Sequence, residues 1–158
     1  MPSDLAAQIL AAATAGGVKI ATAESCTGGM VAAALTDLAG SSDVFERGFV
    51  TYSNAAKEEL LGVCPGTLAQ FGAVSEEVAA EMATGALKNS QAQVAVSITG
   101  IAGPGGSEHK PEGRVCFAIT NPEGASRMTV EFGALGRDKV RLAARDHALG
   151  LLLAQVSK

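Results

Sequence analysis

Val18-Lys19-Ile20-Ala21-Thr22-Ala23-Glu24-Ser25-Cys26-Thr27-Gly28-Gly29 is the stretch on which the fold turns. Its first six residues are mostly β-branched or small, which suits a buried strand over 18–23. Small, polar and glycine residues follow, and then an apolar run at helical spacing that ends at Gly40 predicts a helix over 27–38. Upstream, Ser3 caps a helix that stops at Gly16-Gly17. Downstream, 49–52 reads as a short strand and Asn54 as the cap of a helix over 55–61. Ser75 opens another helix, with Glu76 and Glu77 in the first turn, where the dipole favours negative charge. Residues 94–98 read as a buried strand and 100–113 as a loop dense in Gly and Pro. Residues 115–120 and 128–132 read as an antiparallel pair around the turn at 121–124, and 138–155 as a last helix. Strands that alternate with helices and then form a hairpin predict an α/β fold, a three-layer α/β/α sandwich on a mixed, largely parallel sheet. The 158 residues contain no repeat and no linker, so residues 1–158 read as a single domain.

Composition excludes several functions. Net charge is −4 with no basic cluster, and the chain has no Trp and one Tyr, so nucleic-acid binding is not expected. No apolar run approaches the ~20 residues of a membrane span, and the N-terminus has no signal-peptide pattern. The three cysteines, Cys26, Cys64 and Cys116, form no CxxC pair. Neither a disulfide framework nor a zinc site is expected, and a reducing, cytoplasmic setting fits best. His109 and His147 have no partner at metal-ligand spacing, so no metal and no cofactor is expected.

Three glycine-rich clusters fall at strand ends, where open α/β sheets bind their ligands. In the first, Ser25 stands at the mouth of the turn, and the amides of Thr27, Gly28 and Gly29 at a helix start can hold a phosphate or an oxyanion. A simple helix cap is the competing reading. Cys26 is a rival nucleophile, but a catalytic cysteine usually needs a histidine partner. The second cluster carries Tyr52 and, one turn into the next helix, Lys57. With neither histidine well placed, a lysine is the natural base for a serine, provided burial keeps it neutral. A solvated helix lysine is the alternative. The third cluster brings Thr99 and Gly100 ahead of a Gly-Pro loop closed by Lys110-Pro111-Glu112. Arg137, at the start of the last helix, is a candidate phosphate ligand.

The ordered motifs TAESCTGG (22–29), GFVTYSNAAK (48–57), GAVSEEVAAEMATGAL (72–87) and SITGIAGPGG…KPEGRV (97–115) resemble the CinA C-terminal domain family over nearly the whole chain. The resemblance implies hydrolysis of nicotinamide mononucleotide (NMN) to nicotinic acid mononucleotide and ammonia, in pyridine-nucleotide recycling. It implies a metal-independent serine amidohydrolase with Ser25 as nucleophile and Tyr52 and Lys57 as activating partners. Thr99 and Arg137 carry over as substrate and phosphate contacts, and a homo-oligomer is expected. A nucleotide-binding regulatory module without chemistry is the alternative.

Overall fold

Side chains on a strand point alternately to the two faces of the sheet, and in this protein they also alternate in size. Ile20, Val94, Val96, Ile98, Val115, Phe117 and Ile119 build one apolar layer. Ala21, Ala23 and Ala95, with Cys116 and Ala118, line the other face. The bulky face holds helices through Ile9, Leu35, Leu149 and Leu152. The small face lets Val78 and Met82 approach closely.

A computed structural model describes residues 2–158. Its elements run α1 (Pro2–Gly16), β1 (Ile20–Glu24), α2 (Met30–Thr36), a 3-10 turn (Ser41–Asp43), β2 (Phe45–Val50), α3 (Asn54–Leu61), α4 (Pro65–Phe71), α5 (Glu76–Lys88), β3 (Val94–Gly100), β4 (Arg114–Asn121), β5 (Gly124–Glu131) and α6 (Arg137–Val156). Helices α1, α2 and α6 cover the bulky face. Helix α5 covers the small face, with α3 and α4 packed on it. The α/β sandwich with a mixed sheet is therefore as expected.

The strand order is β2-β1-β3-β4-β5. Strands β2, β1 and β3 run parallel. Strand β4 runs antiparallel to β3, and β5 antiparallel to β4. From β1 the chain steps to one side through α2 to reach β2. It then returns past β1 through α3, α4 and α5 to reach β3. The carboxyl ends of β1 and β3 thus flank a topological switch point, where crossing helices leave a crevice.

The structure departs from the expected elements in local ways. The second helix starts at Met30, three residues late, because Gly28 and Gly29 take positive φ of 57° and 106°. Such angles suit glycine and cannot continue a helix. Strand β2 begins at Phe45 rather than 49. Ser53, not Asn54, caps α3, its hydroxyl accepting from the Ala56 amide at 3.0 Å. Helix α4 was not among the expected elements. Pro65 is in fact the first helical residue, a position where its missing N–H costs nothing.

Helices α3 and α5 meet backbone to backbone. A Cβ at Gly85 would lie 1.9 Å from the Leu61 carbonyl oxygen. Gly85→Ala is therefore expected to destabilise by roughly 1–3 kcal/mol through overpacking. For a chain of this length that is a drop of about 2–10 °C in thermal midpoint. Scanning calorimetry reads it; an unchanged midpoint would show that the helices separate freely.

Candidate active site

The site begins with the last residue of β1. Strand alternation sends Glu24 to the α2 side of the sheet and Ser25 to the α3 side. The Glu24 side chain is fully buried. It accepts from the Thr27 hydroxyl at 2.6 Å and from the Val31 and Ala32 amides, both at 3.0 Å. Those amides are orphan donors at the start of α2, where a carboxylate is favoured. Arg141 of α6 grips the same turn, its Nε donating to the Cys26 carbonyl at 3.0 Å. The Ser25 amide bonds the Ile98 carbonyl at 2.9 Å, which extends the β1–β3 ladder by one rung. The Ser25 turn is thus fixed on three sides.

Beyond β2, the Thr51 amide donates to the Glu24 carbonyl at 2.8 Å. Helix α3 begins just afterwards and carries Lys57 back over the sheet. The Lys57 amine is 1% exposed. It donates to Ser25 Oγ at 3.0 Å and to the Thr51 carbonyl at 2.8 Å. Both partners are neutral, so no carboxylate offsets the desolvation of an ammonium. Burial accordingly holds the Lys57 amine below the ordinary lysine value. An unprotonated amine within hydrogen-bond reach of a serine hydroxyl can take its proton.

A cleft of about 290 Å³ opens above this pair, and Ser25, Tyr52, Lys57, Thr99, Gly100 and Arg137 all line it. Tyr52 does not stand between Lys57 and Ser25. It is 60% exposed, and its hydroxyl accepts from Arg137 Nη2 at 2.6 Å. Arg137 Nη1 donates to the Gly103 carbonyl at 2.6 Å, so the arginine bridges the cleft rim to the glycine loop. The Thr99 hydroxyl is spent on the Ala73 carbonyl at 2.8 Å, where it secures a cleft wall.

Thr27, Gly28 and Gly29 do not line the cleft. The expected anion cradle there is replaced by an internal one: α2 starts late and its first free amides hold Glu24. Cys26 borders the cleft but is 5% exposed, and burial pushes its thiol up to about 12, with the Glu24 charge adding to the effect. Such a thiol supplies almost no thiolate at neutral pH. His147 packs against Phe117 with ring centroids 4.5 Å apart, and neither it nor His109 lines the cleft.

Sequence reading overlooked Glu24, Thr51, Arg141 and the structural role of Glu112. Glu24 carried a signal: a carboxylate closing a buried strand, seven residues before an amide it meets. Arg141 carried none, since its partners lie more than a hundred residues away.

The model of the CinA C-terminal domain matches residues 2–156. The nicotinamide-nucleotide amidohydrolase PncC of Escherichia coli (strain K12) is 55% identical over 152 residues, covering 96% of this chain and 92% of that protein. Its namesake in Enterobacter agglomerans is 51% identical over 156 residues, 98% of this chain and 95% of that one. Among solved structures, competence/damage inducible protein CihA from Agrobacterium tumefaciens superposes with a TM-score of 0.95 at 48% identity, covering 99% of this chain and 96% of its own. A competence-damaged protein (CinA) superfamily protein from Escherichia coli follows at 0.94 and 36%, covering 98% and 90%. With a buried serine–lysine pair at the switch point of the matching fold, the chain belongs to the CinA C-terminal domain family.

Proposed function

We propose that this amidohydrolase converts the carboxamide of NMN to the carboxylate of nicotinic acid mononucleotide, releasing ammonia, in pyridine-nucleotide recycling. The single observation that carries the chemistry is the 3.0 Å contact between Ser25 Oγ and the buried Lys57 amine. The activity named for the relatives supplies the substrate.

The neutral Lys57 amine takes the Ser25 proton directly as Oγ attacks the amide carbon. The C–N bond then breaks, and the nitrogen leaves as ammonia with the proton returned by Lys57. Water, deprotonated by the same amine, hydrolyses the serine ester and frees the carboxylate. Cys26 and the loop after Gly100 border the cleft, and their backbone amides are the candidates for the oxyanion. Arg137 is the cation available to the phosphate, and Tyr52 orients it through their 2.6 Å bond. Binding at the remote phosphate positions the ring for attack. No step calls for a metal or a cofactor.

The whole of residues 1–158 acts as one domain in this reading, placed in the reducing cytoplasm as a homo-oligomer; its three free cysteines accord with that compartment. A binding module without chemistry has no use for a lysine buried against a serine, which costs stability.

Ammonia and nicotinic acid mononucleotide, followed during incubation with NMN with and without a chelator, test the proposal. Equal turnover in both is expected. No ammonia from folded protein would remove the substrate assignment.

A further inference from the structure

Glu112 lies in the KPEGRV motif and has no part in the proton transfers above. Its carboxylate joins two segments that the substrate must meet together. Oε1 accepts from the Gly105 amide at 2.7 Å, in the glycine loop that lines the cleft. Oε2 accepts from the Gly136 amide at 3.0 Å, immediately before Arg137 and α6. The side chain also packs on the loop: a Cβ at Gly103, whose φ is +94°, would lie 2.5 Å from the Glu112 Cδ. Gly103 in turn gives its carbonyl to Arg137 Nη1 at 2.6 Å. The contacts close a ring from Glu112 through Gly105 and Gly103 to Arg137, and through Gly136 back to Glu112.

We propose that Glu112 is a positioning residue that sets where Arg137 and the glycine loop stand, and hence how well the anionic end of the substrate is held. Gly105 and Gly136 are exposed and lie outside regular secondary structure; the Gly136 carbonyl also accepts from the Val140 amide at 3.0 Å as α6 begins. One carboxylate accepting two amides is a charge-assisted, bidentate clamp. Without it, the arginine must be ordered at the moment of binding, at a cost in affinity. Ser25 and Lys57 are held by the sheet, by Thr51 and by α3, and do not depend on Glu112. The clamp therefore governs binding and leaves the nucleophile alone.

This inference uses the proposed substrate in one arm only. Wild type, Glu112→Ala and Glu112→Gln are compared in NMN turnover, in the rate at which a small arylsulfonyl fluoride sulfonylates Ser25 with loss of fluoride, and in amide exchange at Gly105 and Gly136 by NMR. For Glu112→Ala, KM for NMN rises about 10-fold or more, kcat changes less than about 3-fold, and the sulfonylation rate stays near wild type. Exchange quickens at both glycines. Glu112→Gln keeps the shape but has a single acceptor oxygen, so one glycine stays protected and KM is intermediate. Sulfonylation falling in step with turnover, or an unchanged KM, would overturn the proposal. If wild type is sulfonylated yet never hydrolyses NMN, the substrate assignment fails by itself. The clamp is then decided by exchange: unchanged rates at the two glycines in Glu112→Ala would reject it.

Discussion

Ser25→Ala lowers kcat for NMN by about 10⁴-fold or more while the protein stays folded and KM moves little. The size follows from losing covalent catalysis altogether, as when the nucleophile is removed from any serine hydrolase. The fold survives because, among the described residues, the Ser25 hydroxyl's one hydrogen-bond partner is Lys57, which keeps its bond to the Thr51 carbonyl. Cys26→Ala is the matched control and retains activity, since a thiol pushed up to about 12 is protonated at working pH. Steady-state ammonia release by the two variants reads the outcome. Normal turnover by Ser25→Ala, with loss in Cys26→Ala, would transfer the nucleophile to the cysteine.

Lys57→Met is expected to cost roughly 10²–10⁴-fold in kcat, the range for a general base. Lys57→Arg does not rescue it, because a guanidinium stays protonated. In wild type, kcat/KM rises with pH as Lys57 loses its proton. The midpoint lies below the ordinary lysine value, because burial penalises the ammonium. The effect on stability has a definite sign. Between the lowered folded value and the unfolded one, the unfolded chain binds more protons, so stability rises with pH across that window. The contribution is complete above the unfolded lysine value and is lost as pH falls toward the folded one. At neutral pH the buried amine therefore weakens the fold, and Lys57→Met melts no lower than wild type. A pH–rate profile and a melting curve of the variant check both halves. A flat profile across the alkaline limb would remove Lys57 as the base.

Much of this was legible in the sequence because it is local. The strand–glycine–helix passage around Ser25 announces itself through residue type. The Ser75 cap, its acidic first turn and the hairpin at Asn121–Gly124 carry their turn chemistry with them. What escaped depended on partners distant in the chain. The late start of α2 follows from Gly28 and Gly29 adopting positive φ and from Glu24 reaching forward to Val31 and Ala32. This also explains why Thr27–Gly29 were read as a ligand cradle: free amides at a helix start look the same in sequence whether a ligand or an internal carboxylate takes them. The resemblance makes Tyr52 an activating partner of Ser25, and its nearness to Lys57 in the chain agrees. Its hydroxyl instead pairs with Arg137, 85 positions away. Helix α4 was hidden because Pro-Gly signals both a turn and a helix start.

A serine ester formed with the help of Lys57 can be trapped by a nucleophile stronger than water. NMN is turned over in rising hydroxylamine, and the hydroxamate of nicotinic acid mononucleotide is measured against the carboxylate. The expected result is a hydroxamate fraction that grows with hydroxylamine in wild type and is absent in Ser25→Ala. Carboxylate as the sole product at every concentration, with ammonia still released, would mean that water attacks the amide directly and that no ester forms at Ser25.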